Sequence, residues 1–425
     1  MANLGELRSR AELVEFDIHC RPADVAEAIL SREPRIAGIG VYIWNVTQCT
    51  ELVAKLKQRQ PGLIIVLGGP EVSYEVEQQE ICRQADCVIT GEGEAAFAEF
   101  CRQPGAWPHV VRPAQPDLSV LAMPYDLYTD EDLAHRVTYV EASRGCPFGC
   151  EFCLSSLDET VRYFPLDPFL AAMQRLLDRG ARRFKFVDRS FNANLPVAQR
   201  ILQFFLDRLR PDLNVHFEMI PDRFPDALRA LIRQFPAGAL RLEVGIQSFN
   251  DEVNRRIRRR QDNAKAEANL RWLREETNAL IHADLVLGLP GESLESIAAG
   301  FDRLVALGPH EIQVGILKRL RGAPIKRHDE EWLMVYGAAP PYEVLQTKLI
   351  DAHTMQRLRR FARYWELIYN RGKFAQTAPL IWRGGSPFWE FLPFSDWLYE
   401  HTGQTHGIAL DRLRQLLAGY LTARG

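Results

Sequence analysis

Apolar positions along the chain recur in two rhythms that take turns, short strand-like runs and longer stretches of helical spacing. Residues 12–18 (Glu-Leu-Val-Glu-Phe-Asp-Ile) alternate as a strand would. A second strand is predicted over 36–44. The continuous run Leu63–Leu67 reads as a strand buried on both faces, and Cys87–Thr90 as another. Helices are predicted over 24–32, with Asp24 as the cap, over 47–59, and from Ala95 onward. Strands that alternate with helices form a parallel sheet. Pro104, Pro108, Pro113, Pro116 and Pro124 then predict an extended linker. The rhythm resumes with strands near 137–141, 183–188, 214–218, 240–247, 282–288 and 311–316. Helices are predicted between them at 165–179, 195–209, 224–234, 250–259, 263–277 and 293–307. Six such repeats imply an open (β/α)6 barrel with its chemistry at the carboxyl ends of the strands. Beyond 317 the pattern becomes helical, over 351–370, 387–402 and 408–422, and dense in aromatics such as Phe361, Trp365, Phe388 and Trp397, which read mainly as core.

The predicted α/β organisation is a doubly wound, Rossmann-like sheet over 1–103, a proline-rich linker over 104–136, a partial barrel over 137–318 and a mainly helical region over 319–425. At 425 residues the chain has room for two or three domains, and 47% hydrophobic with 25% charged residues is ordinary for a soluble protein. A net charge of −3 offers no basic field to recruit nucleic acid or membrane. No apolar run reaches transmembrane length, and residues 1–8 show no secretory leader pattern. Cys20, Cys49, Cys82, Cys87 and Cys101 are scattered, as reduced thiols in a cytoplasmic protein would be.

The other three cysteines, Cys146, Cys150 and Cys153, are grouped C-x3-C-x2-C in Gly-Cys-Pro-Phe-Gly-Cys-Glu-Phe-Cys. Thiolates this close can hold three corners of an iron–sulfur cube and leave the fourth iron open. Gly145 and Gly149 let the loop wrap tightly. Zinc and buried structural thiols are the alternatives. Zinc sites usually pair two C-x2-C knuckles, and no second knuckle is present. The spacing, with Phe152 before the last cysteine, resembles the signature of the radical S-adenosylmethionine (SAM) superfamily. The resemblance implies a [4Fe–4S] cluster whose open iron chelates SAM, and electron transfer that cleaves SAM to a 5′-deoxyadenosyl radical.

Upstream, Gly68-Gly69-Pro70-Glu71-Val72-Ser73 and Gly91-Glu92-Gly93-Glu94 each end a predicted strand, where open parallel sheets bind ligands. Together they resemble the cobalamin (B12) domains that precede many radical SAM domains. That likeness implies cobalamin held by Gly68, Gly69, Pro70, Ser73, Gly91, Glu92 and Gly93. No Asp-x-His-x-x-Gly motif is present. Asp17-Ile18-His19 is followed by Pro22, and His19 reads as a loop histidine. Similar domains open with a strand, a loop and a helix, and by that likeness this chain is expected to start at the end of that helix, near Ala2-Asn3-Leu4. The expectation is a late start or a degenerate domain, in which the missing central strand leaves a gap or lets its neighbours close over it.

In the barrel, the strand-end residues Asp188 and Ser190, in Asp-Arg-Ser-Phe-Asn, resemble a SAM-meeting segment of B12-type relatives. Glu218 ends the third strand. Gln247 and Ser248, in Gly-Ile-Gln-Ser, resemble a segment of coproporphyrinogen-oxidase-like relatives, and the likeness implies hydrogen bonds to SAM. Gly288, in Gly-Leu-Pro-Gly-Glu, would admit the adenine edge. Helix capping or arginine pairing is the plain alternative for Asp188 and Glu218, and turn chemistry for Pro290-Gly291. No Gly-Gly-Glu follows the second strand, so the SAM amino group has no assigned partner. The arginines at 255, 256, 258, 259 and 260 read as a solvated helix face, or as partners of an anionic group. The whole resembles an uncharacterised group of B12-domain radical SAM proteins. This implies a small-molecule substrate, an electron donor such as a flavodoxin or ferredoxin, and methyl transfer to an unactivated carbon. A cobalamin-independent oxidoreductase or rearrangement enzyme, and a non-catalytic cofactor sensor, are the rivals.

Overall fold

The computed structural model describes residues 1–424. They form two compact units. The first comprises residues 1–129 with 320–323 and 337–342; the second holds the remainder.

The first unit is built on a parallel sheet of β1 (Ile36–Gly40), β2 (Ile64–Gly68), β3 (Cys87–Ile89) and β4 (Val110–Val111), ordered as in the sequence. Alternate residues of β2 serve opposite faces. Ile65 and Leu67 pack with Leu52, Val53 and Leu56 of the helix Val46–Arg59. Val66 packs with Phe100 of the helix Glu94–Arg102 on the other side. Each buried Leu or Val contributes roughly 1.5–3 kcal/mol. The proline-rich stretch is more than a connector, because it supplies β4.

The strand predicted over 12–18 does not form. Leu13 is 62% exposed and Phe16 40% exposed. In a flavodoxin-like order this segment would pair with a central first strand. Alternation alone supplies no hydrogen-bond partner, so the segment stays irregular. The sheet neither gaps nor closes over a missing strand; it ends at β1, whose Gly38 and Gly40 are exposed.

The second unit contains a six-stranded, all-parallel sheet: β5 (Thr138–Val140), then, after a small hairpin of β6 (Ser143–Arg144) and β7 (Arg162–Tyr163), β8 (Arg183–Phe186), β9 (Asn214–Met219), β10 (Leu240–Gln247), β11 (Leu280–Leu287) and β12 (Glu311–Ile316). The sheet strands are neighbours in chain order, as the partial barrel requires. Side chains cap the intervening helices: Asn194 accepts from Val197 N–H (3.3 Å), Asp262 from Lys265 N–H (3.0 Å) and Ser293 from Ser296 N–H (3.2 Å).

The C-terminal helices Ala352–Trp365, Pro387–Thr402 and Leu410–Ala423 belong to this same unit. Phe301 of the barrel helix Leu294–Leu307 meets the rings of Phe361 (5.0 Å), Trp365 (4.6 Å) and Phe388 (5.9 Å), so barrel and tail share one core. A π-helical turn, Glu366–Asn370, presents Asn370 to the outer strand β12. Its amide accepts from Ile312 N–H (3.0 Å) and donates to Ile312 C=O (2.9 Å).

Candidate active site and cofactor-binding turns

The cysteine loop leaves β5 and is fastened at several points. Gly145 lies at φ +88°, and a Cβ there would run into the Thr160 carbonyl. Cys146 N–H donates to Asp158 C=O (3.0 Å). Glu151, between the second and third cysteines, is fully buried. Its backbone N–H donates to Ile257 C=O (3.0 Å), and its C=O accepts from Ile325 N–H (2.9 Å). Its carboxylate pairs with Arg327 and lies 2.7 Å from His328 Nε2.

This anchoring sets Cys146, Cys150 and Cys153 on the wall of one cavity, with Phe148 and Phe152. All three are free thiols. Among the described residues no three His, Cys, Asp or Glu side chains converge on a single ion. Three soft donors around a cavity, with no fourth cysteine in its lining, fit a cluster that has an open iron. Burial pushes the Cys146 thiol up, opposed in part by the Ser190 hydroxyl, and Arg259 Nη1 lies 3.7 Å from Cys150 Sγ.

Facing the thiols are polar groups of the strands and the turns that follow them: Arg189, Glu218, Glu243, Gln247 and Asp284. Glu218 pairs with Arg189 at 3.1 Å, and burial pushes its carboxyl above the usual range. Glu243 lies 3.0 Å from His216 Nε2 and 3.4 Å from Lys185 Nζ. The His216 contact, aided by Lys185 and opposed by burial, holds its pKa down at about 2. Asp284 goes the other way. Burial, with the negative Glu243 and Glu218 nearby, pushes it up to about 8. At neutral pH it is therefore mostly a neutral acid able to donate. Asp284 Oδ1 and Gln247 Oε1 are buried without a hydrogen-bond partner in the protein, as expected of groups that face a polar ligand.

The predicted SAM-contact residues separate. Glu218 and Gln247 face the cavity. Gln247 does so at a β-bulge, with φ +67°. Ser248 turns inward and donates to Glu292 at 2.5 Å. Asp188 is 2% exposed and accepts from Ala142 N–H (3.0 Å) and Ser143 O–H (2.5 Å). It thus fastens the start of the cysteine hairpin, and burial raises its pKa to about 6. The space beside Gly288 is filled. A Cβ there would meet Val344 at 2.5 Å and Met355 at 3.0 Å, so this glycine serves packing rather than an adenine edge. Sequence reasoning missed Glu243 and Asp284 as site residues. The period-2 burial of β10 places Arg241, Glu243, Gly245 and Gln247 on one side, so counting back from Gln247 finds Glu243. The arginine cluster splits as well. Arg259 reaches inward to Gly245 C=O and Gln261, while Arg255, Arg258 and Arg260 stay exposed along a groove.

In the first unit, the two glycine turns lie at the carboxyl ends of β2 and β3. One hydroxyl ties them together: Ser73 O–H donates to Gly69 C=O (2.8 Å) and accepts from Gly91 N–H (2.9 Å). Gly69 lies at φ +109°, and a Cβ there would meet the Val41 carbonyl at 2.5 Å. Pro70 starts the short turn Pro70–Val72. Gly91 has open space beside it, and Glu92 and Gly93 lead into the helix Glu94–Arg102. Tyr42 and Trp44, after β1, stack at 5.2 Å and are exposed. Bare backbone backed by an exposed aromatic pair fits a large flat ligand. His19 is an exposed loop residue whose N–H donates to Asp17 (2.8 Å).

Comparison with known proteins finds matches in three stretches of the chain. The B12 binding domain profile matches residues 6–101, the radical SAM superfamily profile 140–304, and a protein family of unknown function, DUF4080, 330–424. The chain belongs to the radical SAM superfamily and carries a B12 binding domain ahead of the barrel. It is 24% identical to a 2-(S-pantetheinyl)-carbapenam-3-carboxylate methyltransferase of Streptantibioticus cattleyicolor, over 69% of this chain and 48% of that one. It is 24% identical to the cobalamin-dependent radical SAM methyltransferase TokK of Streptomyces tokunonensis, over 71% and 49%. The chain thus spans about half the length of these curated relatives. Its fold is similar to that of the radical SAM methyltransferase TsrM of Kitasatospora setae, solved with cobalamin and a [4Fe–4S] cluster bound. The TM-score is 0.59 at 18% identity, covering 76% of this chain and 73% of that one. No helix among the described residues is long and apolar enough to cross a membrane.

Proposed function

We propose that this chain is a cobalamin-dependent radical SAM enzyme that transfers a methyl group to an unactivated carbon of a small molecule. The observation that carries the reading is the cavity with three free thiols on one wall and, on the other, the unpartnered Gln247 Oε1 and Asp284 Oδ1 of the barrel strands. When bound, the cluster supplies the electron that splits SAM to a radical, and cobalamin supplies a methyl carrier. Cys146, Cys150 and Cys153 hold the cluster. Burial pushes the Cys146 and Cys150 thiols up, and Ser190 and Arg259 oppose that rise. Gln247, Glu218 and neutral Asp284 orient the polar parts of SAM and substrate, and Glu243 keeps a fixed negative charge beside them. Phe148 and Phe152 narrow the water around the cluster. Gly68–Ser73 and Gly91–Gly93 offer backbone to the corrin. An external one-electron donor of the flavodoxin or ferredoxin kind completes the reaction.

A cobalamin-independent oxidoreductase or rearrangement enzyme is the second reading. The sheet that ends at β1 and the exposed stretch at 12–18 favour it. Anaerobic purification, reconstitution with iron, sulfide and cobalamin, and counting of what stays bound tests both. About four irons per chain, bound cobalamin and reductant-dependent 5′-deoxyadenosine are expected. Iron and cleavage without cobalamin would move the assignment to the second reading. No cleavage by a chain that holds its cluster would end both.

A further inference from the structure

We propose that Arg321 and Tyr342 are positioning residues for the Gly69–Ser73 turn, so that the cobalamin-binding end of the first sheet is completed by chain lying far beyond the barrel's first strands. The proposal rests on the cobalamin reading above. Glu71 sits at the centre of the turn, and its side chain is only 3% exposed. Arg321 Nε donates to Glu71 Oε1 (2.9 Å), Nη1 to Glu75 (3.0 Å) and Nη2 to the Tyr342 hydroxyl (3.0 Å). Tyr342 O–H in turn donates to Glu71 Oε1 (2.7 Å), and the guanidinium lies 5.0 Å from the tyrosine ring centroid. Gly322, at φ +83°, lets the backbone lie against the Tyr74 ring, where a Cβ would clash. Gln79 Nε2 closes the set by donating to Glu71 C=O (2.9 Å) and Tyr74 C=O (2.8 Å).

These residues share one compact unit, although Arg321 and Glu71 are 250 positions apart in the chain. The physical logic is direct. A buried carboxylate must be paired, and among the described residues the charge of Glu71 is met by Arg321. Without that partner Glu71 turns toward water and takes the turn with it. The displacement reaches Gly69, whose backbone leaves no slack against Val41, and Ser73, which ties this turn to Gly91. The glycine turns thus carry a shape that their own local sequence does not impose.

The test uses the full chain in wild-type, Arg321→Gln, Arg321→Lys and Tyr342→Phe forms, each reconstituted with iron and sulfide and titrated with hydroxocobalamin. Loss of the charge-assisted bonds is expected to weaken cobalamin binding by at least about tenfold in Arg321→Gln. Tyr342→Phe should lose less, and Arg321→Lys should recover part. Iron per chain should stay at the wild-type value, and hydrogen exchange should quicken at 69–79 but not in β2. Wild-type cobalamin affinity in Arg321→Gln overturns the proposal. If Arg321→Gln fails to fold, unchanged affinity and exchange in both Tyr342→Phe and Arg321→Lys overturn it. A wild-type chain that retains iron but no cobalamin instead sinks the cofactor reading, and the proposal falls with it.

Discussion

The two ligand-facing regions share one rule and carry it out with opposite materials. Both sit at the carboxyl ends of parallel strands. In the first unit the surface is backbone: Gly68, Gly69, Gly91 and Gly93, held in shape by Ser73 and by Glu71 with its partners. In the second it is side chains: three thiols, Glu218, Glu243, Asp284 and Gln247. Backbone suits a broad, flat ligand recognised by shape. Charged side chains of tuned protonation suit a small ligand whose orientation decides the reaction. Errors should therefore show differently, as lost conformation in the first region and as lost chemistry in the second.

The largest effect should come from the thiols. Cys150→Ala is expected to lose its cluster and to abolish 5′-deoxyadenosine formation, measured by iron content and product chromatography, while cobalamin binding persists. Intact cleavage would end the assignment. Next is Glu151→Ala, which leaves Arg327 and His328 without their buried partner and unfastens the cysteine loop. It should cost about 3 kcal/mol in denaturant unfolding, with reduced iron content. Gly69→Ala should cost roughly 1–3 kcal/mol and weaken cobalamin binding, since both φ +109° and the Val41 backbone oppose a Cβ. Gly91→Ala, at φ +65° in open space, should cost about 1 kcal/mol. Equal effects at the two glycines would contradict the tight packing at Gly69.

The smallest effect is a pH dependence. Asp284 has a folded pKa near 8, above its ordinary value of 3.8. The folded state therefore keeps a proton that the unfolded state releases, and stability falls as pH rises through this window. In the cluster-free protein Asp284→Asn should match wild type below about pH 4 and gain on it progressively up to about pH 8, read as the unfolding midpoint. A difference independent of pH would show that Asp284 is ionised in the fold.

Much of this architecture was readable from residues. The barrel strands and their helices fall close to where the apolar rhythm puts them, because each strand finds a neighbour in chain order. Residues 12–18 have the same rhythm and no neighbour, so the same signal fails there. The thiol spacing is local and legible. Glu151 is not, since its partner His328 lies 177 positions away. The sequence puts Asp188 and Ser248 at strand ends, yet one residue of rotation decides whether a side chain meets the cavity or the core, as Gln247 and Ser248 show.

The π-helical turn that delivers Asn370 has a consequence for how the protein keeps its own company. A strand at the margin of a sheet is an adhesive strip, ready to accept a strand from another molecule. At Ile312 the Asn370 amide supplies both bonds a further strand would make there. The sheet is finished at that point by imitation. Asn370→Asp would keep the acceptor, lose the donor and place a negative charge against the Ile312 carbonyl. It would thereby remove half of that imitation at a position remote from any chemistry, while its own charge would discourage a visiting strand.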